Sequence, residues 1–231
     1  MSRRLLSDSH GFGNGRGTVF APRFSAAVLA SLMLLCAAVT VTAQEKPDAL
    51  KLYNSGQYER AVEVCLDELE AMPRNMDSYS VLCWSLLRLN RYDEAQEYAE
   101  QGLEISRYDP RMVEVMGEVH YYKGNNLEAL KWFEEYTVLS PTGPRIDSVY
   151  YFMGEIFIRL GEYHHADIAL TTAVYHTPTV ARWWARLGYS REMAEDYRHA
   201  IEAYDEALRL NPNLTDASRG KQRAEEKLTE G

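Results

Sequence analysis

The sequence holds almost nothing that carries catalysis. It has no H-E-x-x-H pair of the kind that binds zinc in a protease, and no G-x-S-x-G turn after a strand. No strand-rich stretch is present to host a nucleotide, and the glycine-rich run Gly11 to Gly17 follows no strand, so it is not a phosphate loop. His164 and His165 are adjacent, so on a helix they point about 100° apart and cannot chelate together as an i, i+4 pair would. His120, His176 and His199 are scattered. We therefore expect no catalytic residue, no metal and no cofactor.

Cysteine is scarce as well: 3 in the chain, of which Cys36 falls in an N-terminal apolar segment. Cys65 and Cys83 remain as one candidate disulfide in an oxidising compartment. Geometry decides such a bridge, and two buried small apolar residues is the reading we favour. Basic charge is the third deficit. The chain carries 25 Lys+Arg against 34 Asp+Glu, and without residues 1–43 the balance is 21 against 33, a net charge of −12. That excludes non-specific nucleic-acid binding, which needs a basic footprint.

The N-terminal segment has a composition of its own. Arg3, Arg4, Arg16 and Arg23 precede an apolar run from Ala26 to Val41, and Val41-Thr42-Ala43 offers a small residue at a cut. Basic region, apolar core and cut together form a secretory signal over 1–43, with an uncleaved anchor as the alternative. Either way the remainder is exported: periplasmic, secreted, or membrane-anchored and facing away from the cytoplasm. Any membrane contact is through this segment alone, if it stays uncleaved.

From Pro47 onward a pattern returns every 34 residues. Trp184, Leu187, Gly188, Ala200, Tyr204, Ala207 and Pro212 fill slots held one period earlier by Tyr150, Met153, Gly154, Ala166, Leu170, Ala173 and Pro178. Val113, Met116, Gly117, His120, Ala129, Phe133, Tyr136 and Pro141 fit once three extra residues, Pro144 to Ile146, are allowed for. Tyr79, Leu82, Cys83, Leu86, Ala95, Ala99 and Gly102 continue upstream, with Arg107 in the proline slot. A weaker copy holds Ala49, Leu52, Gly56, Tyr58, Ala61, Cys65 and Pro73. Each unit reads as two helices about a turn such as Gly124-Asn125-Asn126, with small residues where the helices approach. Large residues such as Phe133 and Leu170 are expected to pack onto the next pair. One such pair cannot bury its apolar face alone, so it stacks on neighbours. Thr215 to Glu230 has helical composition and little apolar surface, which suits a polar helix covering the last unit, with a solvated face and no binding role.

These slots resemble the tetratricopeptide repeat signature, W-x2-L-G-x2-Y, A-x3-F and P. The closest copy is Trp184-x2-Leu187-Gly188…Ala200-x3-Tyr204…Ala207…Pro212, with Arg191 where an aromatic is usual. The resemblance implies an all-α, right-handed superhelical solenoid of five helix pairs over 44–214, in units of about 44–75, 76–109, 110–146, 147–180 and 181–214. Residues 215–231 form the capping helix and tail. It also implies a concave groove lined by first helices. Carried over residue by residue, the groove slots hold Trp84 and Arg88; Tyr121 and Tyr122; Tyr151, Phe152 and Arg159; and Arg182, Arg186 and Tyr189. Some members clamp a terminal carboxylate in this groove; here Glu114, Glu118 and Phe152 stand where a lysine and asparagines are needed, so that variant fails.

The expectation is a non-catalytic scaffold or adaptor of the cell envelope that binds a partner peptide or helix in its groove. The alternative is a structural subunit of an envelope complex that works through its convex face and ends. An enzyme is the weakest reading.

Overall fold

The computed structural model describes residues 47–230, and among them every regular element is an α-helix. The signal segment expected at 1–43 lies outside the described residues. The helices are α1 (Ala49–Asn54), α2 (Tyr58–Ala71), α3 (Met76–Arg88), α4 (Tyr92–Ile105), α5 (Pro110–Tyr122) and α6 (Asn126–Leu139). They continue as α7 (Ile146–Leu160), α8 (Tyr163–His176), α9 (Ala181–Met193), α10 (Tyr197–Leu210) and α11 (Thr215–Glu230). None is long and apolar enough to cross a membrane.

Local chemistry sets the boundaries. The first helices of the early units open on side-chain caps: Asp48 accepts from the Lys51 amide at 3.1 Å, Asn75 from Asp77 at 3.2 Å and Asp109 from Arg111 at 3.0 Å. Pro110 follows the last of these at the first helical position, where its missing N–H costs nothing. Inside each pair the chain reverses through one left-handed residue: Gly56, Asn90, Gly124, Gly161 and Glu195, with φ of 76°, 58°, 78°, 76° and 64°. The repeat is thus visible in the backbone itself. Glycine takes this conformation freely, whereas Glu195 adopts it with a Cβ in place.

Packing explains the small slots. A Cβ on Gly117 would lie 2.4 Å from the Phe133 ring, one on Gly154 2.5 Å from Leu170, and one on Gly188 2.7 Å from Tyr204. Each large residue of a second helix therefore sits on the glycine of its own pair. It also reaches the next: Phe133 stacks on Phe152 with planes 1° apart, and Leu170 joins a buried cluster with Leu187. Phe133, Leu170 and Leu187 are essentially inaccessible, and burial of each stabilises the array by about 1.5–3 kcal/mol.

Successive first helices (α1, α3, α5, α7, α9) touch one another, whereas successive second helices do not. The array therefore curves, with first helices on its inner side. The junction α6–α7, which carries the Ser140–Arg145 turn, packs over fewer residues than its counterparts α2–α3, α4–α5 and α8–α9. Helix α11 lies on α10 and α9, burying Ala217, Gly220 and Ala224; Gly220 meets the Tyr204 ring.

Cys65 and Cys83 are free and fully buried, so no bridge joins them. Burial, and then the Glu68 carboxylate, push the Cys65 thiol up to about 12; burial likewise raises Cys83.

Candidate functional site

The inner side carries a run of aromatic rings that crosses unit boundaries. Tyr92 stacks on Tyr122 at 5.1 Å, and Tyr122 meets Tyr121 edge-on at 5.2 Å. Tyr121 lies 4.7 Å from Phe152, Phe152 lies 6.0 Å from Tyr151, and Tyr151 stacks on Trp183 at 5.0 Å. Upstream, Tyr53 sits 6.0 Å from Trp84. Most of these side chains come from the first helices α3, α5, α7 and α9, which lie next to one another; Tyr53 comes from α1 and Tyr92 from the first position of α4.

The expected groove residues divide by exposure. Tyr121 is 9% exposed and Phe152 is half-buried against Phe133, so both serve mainly as packing beneath the surface. Trp84, Tyr151 and Tyr189 are half-buried, and Tyr122, Arg88 and Arg182 are exposed. Burial, then the Glu118 carboxylate, push the Tyr122 phenol up to about 12, so it stays a neutral hydrogen-bonding group at physiological pH. Tyr151 is raised by burial and then by Glu155. The indole Nε1 of Trp84 is buried and has no partner among the described residues.

The arginines differ in what they leave available. Arg159 lies 4.0 Å over the Tyr121 ring and donates to the Tyr121 carbonyl at 3.3 Å. Arg186 donates to Glu155 and covers the Tyr189 ring at 5.1 Å. Arg88 and Arg182 form no ion pair among the described residues. Arg191, in the slot where the signature has an aromatic, donates to Asp167 at 2.7 Å and so ties α9 to α8.

Several contributors to this surface are absent from the sequence-based set. Trp183 stands one position before the signature tryptophan, whose Nε1 donates to the Pro178 carbonyl at 2.8 Å. Tyr92 occupies the first position of α4, as Tyr58, Tyr163 and Tyr197 do in α2, α8 and α10. Arg145, from the inserted turn, reaches between units to Glu114 at 2.8 Å and to Glu118. Glu114 is 1% exposed and Glu118 6%, and the second oxygen of Glu114 has no partner among the described residues. Burial, then Glu114, hold the Glu118 carboxyl well above the usual glutamate range, against the pull of Arg145. Tyr53, Trp84, Arg88, Glu118, Tyr122 and Arg145 line a cleft of about 140 Å³.

His164 and His165 are exposed, and His165 lies 3.5 Å from Glu162. Among the described residues, no group of three or more His, Cys, Asp or Glu is placed to hold a metal ion.

Three tetratricopeptide repeat models match residues 80–144, 147–179 and 181–214, together more than half of the chain. A TPR repeat-containing protein of Methanocaldococcus jannaschii is 26% identical over 161 residues; the match takes in 69% of this chain and only 28% of that protein. Among solved structures, pilF of Pseudomonas aeruginosa superposes with a TM-score of 0.69 at 15% identity, over 78% of this chain and 81% of that one. YrrB, described as a TPR protein with an unusual peptide-binding site, gives 0.59 at 18% identity over 75% and 88%. At these identities the structural likeness concerns the fold.

Proposed function

Because the chain belongs to the tetratricopeptide repeat family, we propose that it is a non-catalytic scaffold of the cell envelope that holds an extended peptide or a helix of a protein partner in its inner groove. The observation that carries this reading is the ring sequence from Tyr92 to Trp183, which spans three unit junctions on the concave side. Aromatic rings of this kind give large contact area at low entropic cost, and Arg88 and Arg182 beside them supply charged donors. The stacked array is already ordered, so a flexible partner bears most of the ordering cost. YrrB, whose fold this chain shares, is described as having a peptide-binding site, which supports the same kind of role here. Export rests on the leader pattern of residues 1–43.

A second reading, a structural subunit that docks through its convex side, has one observation in its favour. Val138 and Tyr175 share a slot on α6 and α8 and are 79% and 82% exposed, and Ile168 on α8 is 67% exposed. The same slot as Val138 holds Glu70, Glu104 and Arg209 in the other units. An apolar spot is thus confined to the third and fourth units.

Quantitative capture from the native envelope fraction separates the two. Arg88→Ala with Tyr122→Ala should lower recovery of the partner at least tenfold with helicity retained, while Val138→Ser with Tyr175→Ser leaves it unchanged. The opposite pattern would assign the function to the convex side.

A further inference from the structure

The groove ends in a basic cleft that the repeats alone do not build. Arg182 and Arg186 on α9 face Arg219 and Arg223 on α11 across a space of about 430 Å³, with Tyr189 and Asp216 also in its lining. Positions 216, 219 and 223 follow helical spacing, so the terminal helix turns one face into this space. Four guanidinium groups in one cleft stand out in a chain with more acids than bases.

The four arginines are not equally engaged. Arg223 is held by Glu192 at 2.7 and 2.9 Å, and Arg186 by Glu155 and the Tyr189 ring. Both are fixed in direction by these contacts. Arg182 and Arg219 are exposed and form no ion pair among the described residues. Counting Asp216, Glu155 and Glu192 against the four arginines, the cleft keeps a net positive charge. Its unsatisfied donors are the forked guanidinium groups that match a carboxylate in two parallel hydrogen bonds.

We propose that this cleft binds the side-chain carboxylates of an acidic stretch in the partner peptide, with Arg182 and Arg219 as the direct contacts. The inference rests on the groove reading, because the cleft is continuous with the groove through Arg182, Arg186 and Tyr189. It gives the bound segment a direction: apolar or aromatic residues along the rings, acidic residues toward α11. The terminal helix thereby has a binding role, where its composition alone reads as a solvated cover.

The test is fluorescence anisotropy of the whole chain with a labelled hexaglutamate peptide, amidated at its C-terminus, beside a hexaglutamine peptide with a free C-terminal carboxylate. Hexaglutamate should bind in low salt and weaken as salt rises. Arg182→Ala with Arg219→Ala should reduce that affinity at least tenfold; neither residue holds a structural contact, so folding is retained. Arg209→Ala, an exposed change on α10 away from the cleft, should have no effect. Absence of hexaglutamate binding, or equal binding by the Arg182/Arg219 variant, would overturn the proposal. Binding of hexaglutamine as tight as hexaglutamate would overturn it in favour of a terminal-carboxylate site. Hexaglutamate reports on the cleft alone, so its failure leaves the groove reading to its own capture experiment.

Discussion

The Arg145 guanidinium lies 2.8 Å from Glu114, a carboxylate that is 1% exposed, and in the same position it also meets Glu118. One inserted residue thus compensates two acids buried between units. Removing it leaves two buried carboxyl groups without an ion-pair partner. Arg145→Ala should destabilise the array by about 2–3 kcal/mol, below the range for a fully enclosed pair because the Arg145 side chain is 36% exposed. Urea unfolding of the two proteins checks this; equal midpoints would show that water already serves the two acids.

The same cluster sets a pH dependence. Glu118 has a folded-state pKa raised by burial and by Glu114 above the ordinary value of 4.5. A raised carboxyl binds its proton more tightly when folded. Its contribution to stability is therefore complete below pH 4.5 and is lost as pH rises through the folded value. Glu118→Gln mimics the protonated form at every pH. Its stability relative to the parent chain should increase between pH 5 and pH 8, whatever the offset at pH 5. Denaturant curves at both pH values measure the difference, and a constant difference would contradict the assigned direction.

Glu195 holds φ of 64° in the turn where Gly56, Gly124 and Gly161 do the same work elsewhere. Glu195→Gly relieves the left-handed Cβ penalty of about 1–2 kcal/mol and gives back part of it as unfolded-state entropy. A net gain of roughly 0.5–1 kcal/mol is expected, read as a higher midpoint in thermal unfolding. A lower midpoint would mean that the Glu195 side chain makes a contact that outweighs its backbone.

Cys65 and Cys83 are buried free thiols with raised pKa values, so they should not react with a thiol reagent in the folded protein. In a chain beginning at Gln44, unfolding without reductant should release two titratable thiols. A count of zero would establish a bridge.

Much of this architecture was legible because each helix pair solves the same packing problem. Gly117 and Phe133, Gly154 and Leu170, and Gly188 and Tyr204 recur at one spacing since a ring or branched chain needs the missing Cβ opposite it. The groove was legible in outline only. Tyr121 and Phe152 fall in groove slots, yet they pack inward because they cover each other across the α5–α7 contact and Phe133 of α6 stacks on Phe152. Arg186 and Arg159 fall in groove slots as well, but Glu155 and the Tyr121 ring take up their guanidinium groups. Arg145 was unreadable as a groove residue because its partners lie 31 and 27 positions away and only the three-dimensional path of the insertion brings them together. Arg219 and Arg223 lay beyond the repeat frame, where slot-by-slot reasoning has no register.

The central claim is that the inner face grips another protein. A photo-crosslinking amino acid placed at Tyr122 on the inner side, or at Tyr175 on the outer side, tests it in the native compartment. Both positions are exposed, and an aromatic photo-crosslinker at position 122 keeps a ring opposite Tyr92. A discrete partner adduct from position 122 and none from position 175 is the expected result; adducts from position 175 alone would contradict the account.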